Sequence, residues 1–438
     1  MDPARHGPGG RAVPRSRRGA RARAGGAMLI HGATDNDLHP PLFGATQRSF
    51  GLFRGLARHH DVRVLCIVPN RTRKPREERV AEVTLLRRSA WYTSAAWRLE
   101  RARLSPLFLA SLAHSARARA FRDVLPGTAD VCMADLPLAG VLESRPARLR
   151  VLHAHNVEYD HFREAGPTLL ARGFWAERLR ALEARAARGA DLVVAASDED
   201  AARFRALYAV APEALTVIPN GFDETAVCPP APAERARARA AIGIAPGEFA
   251  CLFVGSDVPH NREALAAAVG HVMPPLAREG FKLLVVGSIS RALEGRREPW
   301  LIVHPATPDL SRWLHAADAG LNPVTRGGGS NVKLATYLAA GLAAVSTPFG
   351  VRGYAPLVPL VTVAAIEQMA EAVRERPRGA AARGELPSPA IRAYAWGALG
   401  ERLAAEFERR LGARAEPRAA LADPARAGAS ARGRGARA

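Results

Sequence analysis

Short apolar runs alternate with helix-forming segments along most of this chain, and the pattern occurs twice. Runs that are apolar almost throughout are typical of parallel β-strands buried on both faces of a sheet. Their alternation with helices predicts parallel sheets covered by helices. The runs of the first half are AMLIH, VRVLCIV, AEVTLL, ADVCMA, RVLHAH and ADLVVAAS, and those of the second half are FACLFVGS, FKLLVVGS, WLIVHP, DAGLNPV, LAAVST and PLVTVA.

The sequence therefore predicts an α/β protein of two doubly wound, Rossmann-like domains that face each other across a ligand-binding cleft. A length of 438 residues suits two such domains with additional tails. The predicted division is a disordered Arg/Gly-rich tail (1–27), an N-terminal domain (28–228), a Pro/Ala/Arg-rich linker (229–247), a C-terminal domain (248–390), a C-terminal helix that could cross back to the first domain (391–411) and a disordered Arg/Ala-rich tail (412–438).

The formal net charge of +20 is unevenly distributed. Residues 1–27 carry +6 and residues 412–438 carry +4, so half of the excess lies in tails that cannot build a core. The remaining +10 fits a protein that handles anionic ligands or rests on an anionic membrane surface. A nucleic-acid-binding surface would interleave basic with aromatic residues, and aromatic residues make up only 6% of the chain. We therefore expect no nucleic-acid partner.

The four cysteines show neither metal-binding nor disulfide spacing. Cys66, Cys132 and Cys251 fall in apolar runs, which predicts buried, reduced thiols and a cytoplasmic location. No apolar h-region follows the basic N-terminus, and no run of about 18 apolar residues could span a bilayer. Residues 91–125 mix Arg with Trp, Tyr, Leu and Phe. They are expected to form a helix over the N-terminal sheet, and peripheral contact with the inner membrane face is the alternative.

A glycine-rich turn in the second half has the form of an anion-binding site. Glycines occupy positions 327–329, and Ser330, Asn331 and Lys333 follow at the start of the helix-forming run VKLATYLAA. The free N–H groups at a helix start and the positive end of the helix dipole attract anions, and Lys333 adds a full positive charge. The sequence predicts a site for a phosphate-bearing ligand. A flexible loop with a solvated surface lysine is the alternative.

A second candidate site lies at the end of the run RVLHAH. This run ends in His155, and Asn156 and Glu158 come shortly after it. Because the carboxyl ends of parallel strands face the cleft in this architecture, these three side chains are predicted to contact a sugar. A purely structural histidine is the alternative, since His153 lies in the same run.

Seven segments resemble, in their order, the GT-B-fold glycosyltransferases of the family 4 type, and the resemblance covers nearly everything from Met28 to Leu411. It implies a retaining, metal-independent hexosyltransferase that moves a sugar from a nucleotide-sugar donor to a glycan or lipid-linked acceptor in polysaccharide biosynthesis. The nucleotide-sugar is a substrate, so no cofactor is expected. The segments are PLFGATQR, HNVEYD, VIPNGFD, LFVGSDVPHNREAL, DLSRWLHAADAGLNPV, GGGSNVKLATYLAAGLAAVSTPFGVRG and AYAWGALGERL.

The resemblance also implies roles for individual residues. His155 and Lys333 match catalytic positions, and His155 matches the cleft histidine that contacts the donor sugar. The implied contacts are Gly44, Gly328, Gly329, Ser330, Asn331 and Lys333 for the donor diphosphate, Gly255, Ser256, Asn261 and Thr336 for the nucleoside and sugar, and Arg48, Asn156 and Glu158 for the acceptor or sugar.

Several positions depart from the family pattern. Relatives usually carry an Arg and a Lys after the first C-terminal-domain strand, where this chain has Ser256 and Asn261. A glutamate that binds the ribose hydroxyls is replaced by Thr336, which cannot make the stronger charge-assisted bond. Another expected glutamate is replaced near Thr325 and Arg326. The alternative function is therefore a weak or inactive homologue that binds a sugar nucleotide or a partner enzyme. An epimerase would need paired cleft carboxylates, and the sequence shows no clear pair.

Overall fold

A computed structural model describes residues 26–68, 74–89, 124–125, 127–144, 146–165, 173, 175–376 and 388–415. The two predicted disordered tails lie almost entirely outside these residues, and so does nearly all of the predicted helical segment 91–125. Those expectations therefore stay predictions.

The first half of the described chain forms one eight-stranded sheet. Neighbouring strands are parallel, apart from an antiparallel pair at one edge. The strands are β1 (Leu29–Thr34), β2 (Asp61–Val68), β3 (Glu77–Val80), β4 (Val83–Ser89), β5 (Ala129–Asp135), β6 (Ala147–His153), β7 (Leu192–Ala195) and β8 (Leu215–Val217). Their order across the sheet is β3-β4-β2-β1-β5-β6-β7-β8.

The second half forms a separate six-stranded sheet in which all neighbours are parallel. Its strands are β9 (Phe249–Val254), β10 (Phe281–Val286), β11 (Leu301–His304), β12 (Ala319–Asn322), β13 (Ala343–Ser346) and β14 (Val361–Val363). They lie in the order β11-β10-β9-β12-β13-β14. The predicted α/β architecture of two doubly wound sheets is confirmed.

Each sheet is buried on both faces. In β2, Val64 and Cys66 join one apolar cluster, whereas Leu65 and Ile67 join another on the opposite face. Two further clusters cover the second sheet in the same way. This double burial explains why nearly every strand is a continuous apolar run. The edge strand β3 was missed, because its sequence EERV is mostly charged.

Helices connect the strands and cover the sheets. Within the described residues the α-helices are α1 (Gly44–Ala57), α2 (Gly140–Ser144), α3 (Glu158–Ala165), α4 (Ala176–Gly189), α5 (Asp198–Tyr208), α6 (Pro232–Ile242), α7 (Pro259–Ala267), α8 (Met273–Ala277), α9 (Ser311–Ala316), α10 (Val332–Ala339), α11 (Ile366–Arg374), α12 (Pro389–Arg392) and α13 (Trp396–Ala415). Among these helices none is both long and apolar enough to cross a membrane.

The segment between the two sheets is a packed helix rather than a simple linker. Within the predicted linker 229–247, α6 lies against the second sheet, where Arg235 donates hydrogen bonds to the carbonyl oxygen of Ala317 and to Asp318 Oδ1 at 2.6 and 2.5 Å. Arg239 Nη1 donates to the other oxygen of Asp318 at 3.0 Å. The Pro/Ala/Arg composition concealed this helix, because Arg235 and Arg239 are bound to protein groups rather than solvated.

The C-terminal helix α13 packs on the first sheet. Its residues Trp396, Leu403 and Phe407 belong to the same apolar cluster as Phe53 of α1. It begins at Trp396 rather than at Ile391, and it continues to Ala415, into the segment expected to be disordered. The chain therefore returns to the N-terminal half after completing the second sheet.

The two helices α1 and α13 cross at a pair of glycines. A Cβ added at Gly400 would lie 2.5 Å from the carbonyl carbon of Gly55, and one added at Gly55 would lie 2.4 Å from the oxygen of Trp396. Only glycine allows backbones to approach this closely. The crossing point is thus fixed by two residues far apart in sequence.

Candidate functional site

The glycine turn and the turn after β6 are in direct contact between the two halves of the molecule. A Cβ added at Gly328 would lie 2.8 Å from Asn156 Cβ. One added at Gly329, whose φ is +65°, would lie 2.5 Å from the carbonyl oxygen of His155. Both positions therefore require glycine. The two predicted sites are therefore in direct contact at these positions, whereas the sequence predicted that they would face each other across a cleft.

Ser330 and Asn331 lie at the start of α10, and their side chains contact the protein itself. Asn220 donates to Ser330 through its backbone N–H to Oγ at 3.3 Å and through Nδ2 to the carbonyl oxygen at 2.7 Å. Asn331 Nδ2 lies 3.4 Å from the oxygen of Gly350. What these residues can offer an anion is the backbone N–H groups of the first helical turn, which have no intrahelical acceptor.

Lys333 is partly buried at the same helix start. Its Nζ donates to Asn261 Oδ1 at 3.0 Å and lies 4.7 Å from the centroid of the Phe253 ring. Burial lowers the pKa of Lys333 to about 7. No carboxylate pairs with it among the described residues. A bound anion would raise this pKa again and favour the charged form of the lysine.

Asn261 has a different role from the one that the sequence suggested. Its Oδ1 is occupied by Lys333, its Nδ2 donates to the carbonyl oxygen of Ser256 at 3.0 Å, and the residue is buried. It therefore holds Lys333 against the loop that follows β9, rather than offering a free amide to a nucleoside. Gly255 in that loop is in close contact with Gly287, since a Cβ added at Gly287 would lie 2.1 Å from the oxygen of Gly255.

Thr336 lies one turn further along α10. Its Oγ1 donates to the carbonyl oxygen of Val332 at 3.2 Å. Thr336 also lines a narrow cavity of about 110 Å³ between the two halves. Gln47 of α1 and Asp309, which precedes α9, line the same cavity. The hydroxyl is thus close to space that a ligand could occupy.

Gly44 begins α1 on the other side of the interface. A Cβ added there would lie 3.6 Å from Val332 Cγ2, an ordinary van der Waals distance, so the packing does not itself require glycine at this position. The contact shows that the N-terminal ends of α1 and α10 meet where the two halves touch. Two positive helix ends therefore lie beside the glycine turn.

Arg48 is buried within the N-terminal half rather than exposed to the interface between the halves. Its side chain is 1% exposed, and Nη1 donates to the carbonyl oxygen of Ile218 at 2.7 Å and to Asn220 Oδ1 at 3.2 Å. Burial lowers the pKa of Arg48 to about 10. The sequence placed Arg48 one turn into α1, but it could not show that the guanidinium reaches the carbonyl groups of Ala195 and Ile218 at the ends of β7 and β8. Arg48 is a structural residue that supports Asn220.

His155 is the most exposed member of a buried polar group. Its Nε2 lies 3.3 Å from Asp135 Oδ2 and 3.4 Å from Ser49 Oγ. The other carboxylate oxygen, Asp135 Oδ1, lies 2.8 Å from His153 Nδ1. Asp135 is 2% exposed. Burial alone would raise its pKa, but the electrostatic interaction with His155 and the hydrogen bonds from both histidines hold the pKa of Asp135 well below its usual range.

The sequence missed two carboxylates at this edge of the sheet. Asp135 ends β5 and Asp35 directly follows β1. Burial, followed by the charge of Asp135, raises the pKa of Asp35 to about 7. The signal that could have found them is an acidic residue at the carboxyl end of an apolar run, since adjacent parallel strands bring such ends together.

Glu158 and Asn156 continue from His155. The backbone N–H of Glu158 donates to Glu183 Oε1 at 2.8 Å, which fixes the start of α3. Burial raises the pKa of Glu158. The Oδ1 atom of Asn156 is buried without a hydrogen-bond partner among the described residues.

A cavity of about 430 Å³ opens beside the glycine turn. Across it, Arg352 Nη2 of the second half pairs with Asp200 Oδ1 of the first half at 2.5 Å. Asp200 is 1% exposed and also accepts from Ser197 Oγ at 2.9 Å. The lining residues are Val157, Asp160, His161, Arg163, Asp200, Arg203, Gly327, Gly328 and Arg352.

Asp135, His153 and His155 could also form a metal-binding group, because their ligand atoms lie within 4.8 Å of one another. The 2.8 Å contact between His153 Nδ1 and Asp135 Oδ1 is, however, a hydrogen-bond distance with a proton between the two atoms. Two metal ligands would both have to face the ion without that proton. The arrangement favours a hydrogen-bonded group over a metal centre.

Two family models match this chain in succession. The model described as "Glycosyltransferase Family 4" matches residues 44–226, and the model described as "Glycosyl transferases group 1" matches residues 248–376. Together they span more than half of the chain, one on each sheet. The chain belongs to the family 4 type of group 1 glycosyltransferases.

Solved structures show that this glycosyltransferase family member has the GT-B fold. Sucrose-phosphate synthase from Thermosynechococcus elongatus superimposes with a TM-score of 0.66 at 15% identity, covering 88% of this chain and 100% of that one. Anabaena HepE in complex with UDP-glucose gives a TM-score of 0.53 at 14% identity, covering 88% and 99%. The predicted GT-B fold is confirmed.

One curated relative is more similar over a shorter segment. The D-inositol 3-phosphate glycosyltransferase of Segniliparus rotundus is 35% identical over 124 residues, which cover 28% of this chain and 26% of that protein. The matched segment therefore spans about a quarter of the relative's length.

Proposed function

We propose that this chain is a glycosyltransferase that moves a sugar from a nucleotide-sugar donor to a glycan or lipid-linked acceptor. The observation that carries the proposal is the contact between the glycine turn and His155, with the partly buried Lys333 at the same helix start. Family membership supports the reaction class. The complex of HepE with UDP-glucose supports a nucleotide-sugar as the donor.

The donor diphosphate would bind at the start of α10. Cleavage of the bond between the sugar C1 and the diphosphate oxygen leaves negative charge on the diphosphate. Preorganised N–H groups, helix ends and a lysine stabilise such charge as it develops. Gly328, Gly329 and Lys333 supply these groups from the second half, and Gly44 brings the start of α1 to the same place. These groups need no metal ion to act.

His155 would contact the donor sugar from the N-terminal half. Its backbone oxygen lies against the glycine turn, and its ring is held by Asp135 and Ser49. We propose retention of configuration at the transferred carbon, as the family resemblance implies. We also propose that the reaction is independent of metal, since the histidine and aspartate side chains hydrogen-bond to each other.

The nucleoside would be bound less firmly than the diphosphate. Thr336 lines the cavity of about 110 Å³ between the two halves, the interface cavity, and it occupies the position of a ribose-binding carboxylate in the family. Its neutral hydroxyl makes a weaker hydrogen bond than a carboxylate would. Asn261 and Ser256 replace the two cations of the loop after β9 and bond to each other. Donor specificity in this chain would therefore depend on the interface cavity more than on charge.

The acceptor would enter from the cavity of about 430 Å³ beside the glycine turn. Polar and charged side chains make up most of its lining, which suits a hydroxyl-rich acceptor such as a glycan or the sugar of a lipid-linked molecule. We propose that the reaction takes place in the cytoplasm, and peripheral contact with the inner face of a membrane is the alternative setting. The four cysteines, all free thiols, support a reducing compartment.

The second candidate function is a homologue that binds a sugar nucleotide or a partner enzyme without turnover. Thr336 and the side chains of Ser256 and Asn261 favour it, because each replaces a charged donor contact. Both candidates include binding of a sugar nucleotide, so donor binding alone does not separate them.

A donor panel separates them. Purified full-length protein is tested with UDP-, GDP-, ADP- and dTDP-sugars for thermal stabilisation and for slow release of the nucleoside diphosphate. Stabilisation by one donor together with its hydrolysis supports the transferase. Stabilisation without release, even with glycan and lipid-linked acceptors present, favours the binding-only homologue. No response to any donor would rule out the transferase and a homologue that binds a sugar nucleotide, and would leave only a homologue that binds a partner enzyme.

A further inference from the structure

Asp135 connects two histidines that lie in the same strand region. Asp135 ends β5 and lies opposite His153 in the parallel register of β5 and β6. Its Oδ1 faces His153 Nδ1 at 2.8 Å, and its Oδ2 faces His155 Nε2 at 3.3 Å. Ser49 Oγ of α1 donates to the same Oδ2 at 3.4 Å. One buried carboxylate is thus shared by three side chains, two from the end of β6 and the turn after it and one from α1.

This arrangement determines which nitrogen of each ring carries a proton. An ionised carboxylate only accepts hydrogen bonds, so each ring nitrogen that faces it must be an N–H. His153 therefore carries its proton on Nδ1, and His155 carries its proton on Nε2. The remaining nitrogens, His153 Nε2 and His155 Nδ1, are buried and have no partner among the described residues. A second proton on either would leave an unsatisfied buried N–H.

We propose that Asp135 is a positioning residue that holds the His155 ring in its Nε2–H tautomer and keeps it in place behind the glycine turn. The inference rests on the proposed function in that His155 contacts the donor sugar. Asp135 is too deeply buried to touch a substrate itself, and it acts through His155. Asp135 thus orders a series of contacts: its carboxylate holds the His155 ring, and the backbone oxygen of His155 lies beside Gly329.

Because the two histidines share the Asp135 carboxylate, the effect of Asp135→Asn can be predicted. A carboxamide accepts through its oxygen and donates through its nitrogen, so it can satisfy the N–H of only one of the two rings. His153 is fully buried, whereas the His155 side chain is 16% exposed and has more freedom to turn. We therefore expect His155 to lose its tautomer in the Asp135→Asn variant.

The first test reads the tautomers directly and does not depend on activity. The full chain is labelled with ¹⁵N-histidine, and long-range ¹H–¹⁵N spectra are recorded at pH 7.5. The His155 signals are those that disappear in His155→Gln. We expect an unprotonated Nδ1 and a protonated Nε2 in the wild type, and a changed pattern in Asp135→Asn. A wild-type His155 in the Nδ1–H tautomer, or protonated on both nitrogens, would overturn the proposal.

The second test asks whether Asp135 acts through His155. In the wild-type background, Asp135→Asn is expected to lower kcat about 10- to 100-fold with a smaller change in the donor KM, the loss typical of removing a histidine's orienting partner. In the His155→Ala background the same change should have less than about a twofold effect, because the coupled residues do not act additively. Equal effects in both backgrounds would overturn the positioning role.

Asp130→Asn is the matched control. Asp130 lies on the same strand, and its Oδ2 accepts from the backbone N–H of Leu29 at 2.8 Å, at the end of β5 away from His155. Asp130→Asn should leave the His155 tautomer and kcat unchanged. If the wild type responds to no donor, the proposed function fails, and the wild-type tautomer still decides whether Asp135 orients His155.

Discussion

The carbonyl oxygen of His155 occupies the space that a side chain on Gly329 would need: a Cβ there would lie 2.5 Å from that oxygen. The two residues belong to turns in different halves of the molecule and are far apart in sequence. Their contact places the end of β6 against the start of α10. Because Gly329 has a φ of +65° as well, both its conformation and its surroundings exclude other residues.

Gly329→Ala tests this contact. The new methyl group meets backbone and its conformation is strained, so we expect a loss of about 1–3 kcal/mol in the free energy of unfolding and at least tenfold weaker donor binding. Gly270→Ala is the control, because no atom lies within 4 Å of its Cβ. Urea unfolding and donor titration measure both effects. Equal stability and affinity for the Gly329 variant would show that the two turns separate freely.

Donor binding is expected to depend on pH through Lys333. Its pKa of about 7 in the donor-free protein reflects burial, and a bound diphosphate raises that pKa again. Above pH 7 the free lysine is neutral and must take up a proton on binding, so Kd should rise by up to about tenfold per pH unit. Below pH 7 the lysine is already charged, and Kd should be nearly constant with respect to this group.

Calorimetric titration in HEPES and in Tris at pH 8 measures the proton uptake, because the two buffers differ in ionisation enthalpy and neither supplies a competing phosphate. Uptake approaching one proton per donor is expected for the wild type. Lys333→Met should show none. Identical apparent enthalpies in the two buffers for the wild type would exclude a neutral Lys333 in the free protein.

The ion pair between Arg352 and Asp200 joins the two halves. Removing the guanidinium in Arg352→Gln leaves Asp200 as a buried carboxylate without its charged partner, at an expected cost of about 1–3 kcal/mol in the free energy of unfolding. Arg262→Gln breaks an exposed pair with Asp257 and should cost less than about 1 kcal/mol. Equal costs for the two variants would mean that the interface pair is as weak as a surface pair.

The packing of α13 on α1 can be tested at two glycines of one helix. Gly400→Ala forces a methyl group to within 2.5 Å of the Gly55 backbone and should destabilise the fold by about 1–3 kcal/mol. Gly412→Ala has open space around it and should be neutral or stabilising by up to about 1 kcal/mol. Thermal unfolding of both variants measures the difference. Similar melting temperatures for the two variants would mean that Gly400 of α13 does not pack against Gly55 of α1.

The sequence predicted the parallel strands well because double burial makes them apolar throughout. It missed β3, whose charged residues fit an edge strand, and it took α6 for a linker because Arg235 and Arg239 look like solvated charges. Their partner, Asp318, comes from a distant part of the chain. Contacts between residues so far apart in sequence cannot be inferred from local sequence patterns.

In the candidate site too, the sequence predicted features that depend on local residues and missed those that depend on long-range contacts. The glycine turn, Lys333 and His155 could be found because their chemistry follows from local sequence. Arg48 was misassigned, since only the folded sheet shows the carbonyl groups that surround it. Asp135 was missed because the parallel register of β5 and β6, and not proximity in sequence, brings it to the histidines.

The central claim is that Lys333 binds the diphosphate of a nucleotide-sugar donor, and one titration tests it. The donor that most stabilises the wild type is titrated at pH 7 into the wild type, Lys333→Met and Lys282→Met. Lys282 pairs with Glu248 at the surface, and its replacement should leave Kd unchanged. Lys333→Met should weaken binding about 10- to 100-fold, the loss of one charge-assisted hydrogen bond. The same Kd for Lys333→Met and the wild type would contradict the account.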